Sequence, residues 1–283
     1  MINIAKSIKD KLYHLSKSDR ISFQHIIIRY LHERFLYRIS ISDYCDNFCL
    51  KGGTLLYAMN DKNIQRYTLD IDFSLQNMSY DLHIVKNAVI QICKIKDRDG
   101  VSYNGNSIAI NRIRENDIYG GIRINVMANL GTIRQMLQID IGYGDSIVPL
   151  PTFIDFPKLI DSVKCPRIKV YSTETVIAEK FHAMIELSEL NSRMKDFYDV
   201  FMILETEKYS IDLLKEAIKS TFRTRNTNIV ADHSLFSFEF GSDPNRIKMW
   251  KAFLSKIGYS NDLPFSTIMK KITNVLLPIY NEL

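Results

Sequence analysis

The 283-residue sequence predicts an α/β protein of the α+β kind, with strands and helices through the first 165 residues and helices almost to the C-terminus after that. Three observations carry this expectation. Strict apolar alternation appears at 67–75, strand patterns recur from about 95 to 143, and helical spacing takes over from Ser172. Pro149, Pro151, Pro157 and Pro166 crowd a segment without regular period, so the junction falls there, with one domain over 1–165 and a helical one over 166–283.

The chain opens helical. Phe23, Ile26, Ile27, Tyr30, Leu31 and Phe35 keep amphipathic spacing, with Ser18 or Asp19 as cap. The turn Lys51-Gly52-Gly53-Thr54 leads into a short helix over 55–60. The stretch 67–75 then reads as a strand with Leu69, Ile71 and Phe73 on its buried face and Asp70, Asp72 and Ser74 on the other. Residues 81–95 read as a helix. Beyond them Asp99-Gly100, Asn104-Gly105 and Gly120-Gly121 punctuate a run of strands as turns. Ile122, Ile124, Val126, Ala128 and Leu130 form one core face, and Leu137, Ile139 and Ile141 another, with Gln138 and Asp140 opposite.

A composition 46% hydrophobic and 24% charged suits a globular chain with a real core. Cys45, Cys49, Cys93 and Cys165 include no Cys-x-x-Cys pair, which argues against a disulfide scaffold or structural zinc and for buried, reduced thiols. No apolar run approaches the length of a membrane span and the N-terminus lacks a signal-peptide core, so the expected setting is the cytoplasm, without membrane attachment. The net charge of +5 favours a polyanionic partner such as a nucleotide or RNA. Zinc hydrolysis and serine-type acyl transfer have no support, because neither His-Glu-x-x-His nor Gly-x-Ser-x-Gly occurs.

Residues two apart on a strand point the same way, so Asp70 and Asp72 set two carboxylates side by side. Such anions repel unless a cation lies between them, and Mg²⁺ or Mn²⁺ with oxygen ligands answers that need. Asp140 is the candidate third ligand if its strand is a neighbour, and the candidate to take a proton from an attacking hydroxyl. The plainer reading makes the aspartates the solvated side of an exposed strand. Likewise, Gly52 and Gly53 before a helix either leave backbone N–H groups open to an anion, with the Thr54 hydroxyl beside them, or simply make a tight turn.

Further along, Lys180 falls inside an apolar helical stripe with Val176, Ile177, Ala183 and Met184, in a helix capped by Ser172. It either snorkels to water or points at an anionic ligand. Asp196 and Asp199 share a helix face, where Lys195 and Asp199 are also spaced for a surface ion pair. Glu186, Glu189 and Arg193 read as solvated charges. Lys219, Arg223 and Arg225 around Phe222 suit an RNA backbone or a solvated face equally.

Taken together, Lys51-Gly52-Gly53-Thr54, then Arg66-x-Thr68-x-Asp70-Ile71-Asp72-Phe73, then Ala178-Glu179-Lys180 and Lys195-Asp196-x-x-Asp199 resemble, over roughly 48–204, the signature of the AbiEii/AbiGii-type nucleotidyltransferase toxins. That family belongs to the DNA polymerase β-like superfamily. The resemblance implies a nucleotidyltransferase core with a mixed sheet and a C-terminal helical domain that completes the active site. It implies a toxin of a toxin–antitoxin or phage-defence pair, with an antitoxin partner, that moves a nucleotide from an NTP to RNA at the tRNA 3′ end and releases pyrophosphate. Carried onto this chain, Lys51, Gly52, Gly53, Thr54, Arg66 and Thr68 would bind the nucleotide and Asp70 and Asp72 the metal. Lys180 would neutralise phosphate charge, and Asp199 with Asp196 would complete the site. Thr54 stands where superfamily members commonly have Ser, and its hydroxyl is kept. Two rivals remain: nucleotidylation of a protein or small molecule, and a catalytically silent module that binds RNA or an antitoxin.

Overall fold

The computed structural model describes residues 4–59, 67–113 and 120–283. They divide into two compact units, one of 4–59, 67–144 and 152–170, the other of 145–151 and 171–283.

The first unit begins with helices α1 (Ile4–Ser18) and α2 (Phe23–Ser40). The cap of α2 is Ser22, whose hydroxyl accepts from the His25 N–H, not the expected Ser18 or Asp19. The chain reverses first at Arg20, which has a left-handed φ of 56°, and so leaves Ser22 at the new helix start.

Then follow β1 (Phe48–Lys51), α3 (Gly52–Met59), β2 (Asp70–Leu75), α4 (Leu82–Lys94), β3 (Val101–Ile113), β4 (Gly121–Leu130), β5 (Ile133–Tyr143), β6 (Thr152–Asp155) and β7 (Arg167–Val170). The strands form one seven-stranded sheet in the order β3-β4-β5-β2-β1-β7-β6. It is mixed, because β2 runs parallel to β5 and β1 to β7 while the other neighbours are antiparallel.

Alternation holds in the central strands. Ile122, Ile124, Val126, Ala128 and Leu130 on β4 and Leu137, Ile139 and Ile141 on β5 are all buried. Leu69 departs from the expected pattern: it precedes β2 and is 61% exposed, so the buried face of that strand starts at Ile71. Asn104-Gly105 does not turn the chain either. It lies within β3 at a register shift against β4, where the Asn104 carbonyl accepts from Ser107 Oγ, and so marks a bulge. The real reversal between β4 and β5 is Gly131-Thr132, with Gly131 at φ 59°.

The proline-rich segment holds two strands that the sequence reading did not anticipate. β6 and β7 pair with each other at the sheet edge, where prolines between and beside them remove no ladder hydrogen bond. Their loop also hydrogen-bonds a buried ion pair on α2: Glu33 accepts from the Leu159 N–H at 2.8 Å, and Arg34 donates to the Lys164 carbonyl at 2.7 Å. A second buried pair, Arg38 with Asp99, ties α2 to the start of β3. None of the four cysteines is in a disulfide; Cys49 and Cys93 are buried, but Cys165 is exposed, contrary to the expectation for all four.

The second unit is helical, with α5 (Thr173–Leu187), α6 (Met194–Thr206), α7 (Ile211–Thr224), α8 (Phe238–Ser242), α9 (Pro244–Ile257) and α10 (Phe265–Tyr280). Ser172 caps α5 as expected, and its hydroxyl and that of Thr175 both donate to the Val148 carbonyl. Phe181, Phe222, Phe236 and Tyr280 make one aromatic cluster and Phe197, Tyr198, Trp250 and Phe265 another. Among the described residues no helix is long and apolar enough to cross a membrane.

Candidate functional site

Sheet register assembles a charged row across the middle of the first unit. On β2 and β5, parallel neighbours, Asp72 lies opposite Asp140; on β4, Arg123 lies opposite Asp140; on β1, Lys51 lies opposite Asp72. The row therefore reads cation, anion, anion, cation, and Asp70 adds a further carboxylate two residues upstream on β2.

One carboxylate oxygen from each of Asp70, Asp72 and Asp140 lies within 4.8 Å of the other two. At an effective dielectric of 20, two unit charges that far apart repel by about 3–4 kcal/mol. Two oxygens bound to one Mg²⁺ at about 2.1 Å lie at most about 4.2 Å apart. Neighbouring ligands on an octahedral ion are about 3.0 Å apart, so shifts of up to about 1 Å would bring this donor set onto one hard cation, and all-oxygen carboxylate ligands are the chemistry such an ion prefers. The residues fit a divalent metal.

Several neighbours fix these carboxylates. The Thr68 hydroxyl donates to Asp70 Oδ1 at 2.7 Å. Thr54 is buried, and its hydroxyl donates to the Asp70 carbonyl at 3.1 Å, tying α3 to the first residue of β2. Gly52, with φ +66°, opens α3 directly against Asp72, and a Cβ placed there would fall on the Asp72 carboxylate. Only glycine meets both the left-handed backbone and that close approach. Arg123 grips Asp140 with a bidentate fork, Nε to Oδ1 at 2.8 Å and Nη2 to Oδ2 at 2.7 Å, and Gln138 Nε2 donates to Oδ2 at 3.3 Å. The Asp140 hydrogen bond does most to push the Arg123 pKa up.

Arg123 and Gln138 did not figure among the residues expected from sequence. Alternation put both on the polar sides of their strands, but nothing local says that those strands are neighbours in this register. Arg66 lies outside the described residues.

Lys180, Asp196 and Asp199 form a cluster within the second unit. The Lys180 ammonium donates to Asp196 Oδ1 and Asp199 Oδ2, both at 2.8 Å, and both aspartates are buried. So neither water nor a surface pair with Lys195 accounts for these residues; the two carboxylates turn inward because Lys180 meets them there. Burial pulls the Lys180 pKa down, but Asp199 and Asp196 outweigh it and the net shift is upward. Burial likewise pushes the Asp196 carboxyl up, and the charges of Lys180 and Arg193 more than reverse it. Arg193 pairs with Asp196 at 2.6 Å and Glu189 with Arg246 at 2.6 Å, so neither is merely a solvated charge. Arg225, taken with Lys219 and Arg223 as an RNA-facing candidate, is bridged to Asp145 and Glu179.

Among solved structures, a proposed nucleotidyltransferase from Helicobacter pylori aligns with a TM-score of 0.50 at 17% identity, covering 93% of this chain and 97% of that one. JHP933 from Helicobacter pylori aligns at 0.47 and 17% identity, with 92% and 93% covered. An antigenic nucleotidyltransferase-like protein from Paracoccidioides brasiliensis aligns at 0.39 and 12%, with 88% and 96% covered. The first of these supports the nucleotidyltransferase-like fold. Among curated proteins no match is found. The profile described as nucleotidyl transferase AbiEii toxin, type IV toxin–antitoxin system, matches residues 34–271. With five-sixths of its length covered, the chain belongs to the AbiEii nucleotidyl transferase toxin family.

Proposed function

We propose that this chain moves a nucleotidyl group from an NTP to the 3′-terminal hydroxyl of a tRNA, using a divalent metal held by Asp70, Asp72 and Asp140. The observation that carries the metal site is the convergence of these three carboxylates from adjacent parallel strands. When bound, Mg²⁺ or Mn²⁺ would offset the phosphate charge and favour departure of pyrophosphate. The chain's own residues supply the rest. Gly52 and Gly53 leave the start of α3 open for phosphate oxygens, and Thr54 and Thr68 hold Asp70 in place. In the transfer, the acceptor oxygen bonds to the α-phosphorus as the bond from that phosphorus to the α,β-bridging oxygen breaks. The hydroxyl proton passes to a carboxylate of the cluster, and pyrophosphate carries off the bonding pair.

The family brings with it a nucleotide substrate and an antitoxin partner. The net charge of +5 supports a polyanionic acceptor. The test is incubation with each labelled NTP, Mg²⁺ or Mn²⁺, and either purified tRNA, tRNA with an oxidised 3′ end, or protein extract. Label should enter intact tRNA alone, and Asp72→Asn should abolish it. Label that enters only protein overturns the tRNA reading.

A further inference from the structure

Asp140 is held at both carboxylate oxygens at once by a single cationic side chain. The Arg123 fork takes Oδ1 and Oδ2 together, at 2.8 and 2.7 Å, across an antiparallel register that sets the two residues directly opposite. The pair is unequally buried, with 16% of the Asp140 side chain and 38% of the Arg123 side chain exposed. An aspartate carboxylate turns easily about its last torsion, which is broad and roughly two-fold. A planar guanidinium with two parallel donors removes that freedom, whereas a lysine ammonium, a point charge on a flexible stem, does not.

The two oxygens of an ionised carboxylate offer about four lone-pair sites between them. The fork takes one on each oxygen and Gln138 takes the second on Oδ2, which leaves one on Oδ1. Asp140 can therefore still give a lone pair to a cation beside Asp70 and Asp72, but its plane is set by the guanidinium and not by the ion. Arg123 is also the outermost cation of the row, so it offsets one of the negative charges of the cluster without standing between the carboxylates.

We propose that Arg123 is a positioning residue for the divalent metal: it locks the plane of Asp140 so that this carboxylate serves as a pre-aimed, single-oxygen third ligand. The inference rests on the metal site of the proposed function. Its physical content is that orientation outweighs competition. A guanidinium on a ligand carboxylate could weaken the ion's hold by sharing the ligand, or strengthen it by fixing the ligand, and the fork geometry argues for the second. Partners of ligand side chains typically account for 10–100-fold in metal affinity.

The experiment is a titration of the full chain with Mn²⁺ alone, free ion read by electron paramagnetic resonance, for the wild type, Arg123→Lys, Asp140→Asn and the double variant. Arg123→Lys keeps the charge and loses the fork. It should weaken Mn²⁺ binding at least about ten-fold with its melting temperature unchanged, and have no further effect in the Asp140→Asn background. In turnover assays its kcat should recover as Mn²⁺ is raised while KM for the NTP stays fixed. A purely structural role for Arg123 would not produce that recovery. Equal or tighter Mn²⁺ binding by Arg123→Lys, or an undiminished effect without Asp140, overturns the inference and leaves the metal site standing. A wild type that binds no Mn²⁺ overturns the site itself and the inference with it. If Arg123→Lys does not fold, Arg123→Gln removes the fork and the charge together; weaker Mn²⁺ binding despite the lost positive charge supports the inference, and equal or tighter binding overturns it.

Discussion

Replacing Gly52 by alanine should cost far more activity than stability. Its φ of +66° places an L residue in the left-handed region, a penalty of about 1–2 kcal/mol. For a chain of this length that amounts to a fall in melting temperature of about 2–4 °C. The second effect is local and larger. The new Cβ and the Asp72 carboxylate claim the same space, and the side chain yields before the backbone of α3 and β2 does. Asp72 would then leave the cluster it forms with Asp70 and Asp140. Displacement of a reacting or ligating group by about 1 Å costs on the order of 10²-fold in rate. The assay pairs incorporation of labelled nucleotide into RNA with a thermal melt of the same preparation. A Gly52→Ala protein that keeps more than half of the wild-type activity refutes the reasoning, because it would show that Asp72 need not stand where Gly52 lets it stand.

Lys180→Ala should destabilise the chain by about 3–5 kcal/mol, the usual cost of leaving buried charges without their partner, since Asp196 and Asp199 would both remain buried with that cation gone; an unchanged chemical-denaturation midpoint would rule out the clamp. The buried pair on α2 predicts a similar loss for Asp99→Ala, which strands Arg38 with a side chain that is 0% exposed, and equal stability of variant and wild type would contradict it. Burial lowers the pKa of both His32 and His182 to about 4 from the ordinary 6.5; Asp70 opposes this at His32 while Arg29 adds to it, and Arg225 adds to it at His182. Above pH 6.5 both histidines are neutral in the folded and unfolded chain and leave stability unaffected by pH. As pH falls from 6.5 towards 4 the unfolded chain takes up the protons first, so each histidine removes about 1.4 kcal/mol per pH unit, about 3 kcal/mol in all. Urea midpoints measured at pH 7, 5.5 and 4.5 should fall in that order, and substituting both histidines should flatten the decline. A midpoint that holds steady across that range refutes the neutral, buried state of these rings.

Much of the fold and part of the site were legible in the sequence because their signals are local. Alternation on β4 and β5 follows from the two-residue period of a strand, whatever the strand pairs with. The same period put Asp70 and Asp72 on one side of β2, and the Ser172 cap announced α5. β6 and β7 escaped notice because four-residue strands among prolines owe their existence to pairing with each other, which no local pattern encodes. Asn104-Gly105 carries the same dipeptide signal whether it closes a hairpin or opens a bulge, and only the length of the partner strand decides.

What the amino-acid order determined by itself was the kinds of element, their amphipathic faces, the motif residues that resemble the family's signature, and the placing of Asp70 and Asp72 on one side of a strand. Tertiary structure alone decided the company those side chains keep. Parallel pairing of β2 with β5 brought Asp140 to Asp72, antiparallel pairing with β4 brought Arg123 to Asp140, and the packing of the second unit brought Lys180 to Asp196 and Asp199. The physical reason is that periodicity depends on neighbours along the chain, whereas strand register and charge pairing depend on which distant segments share a core.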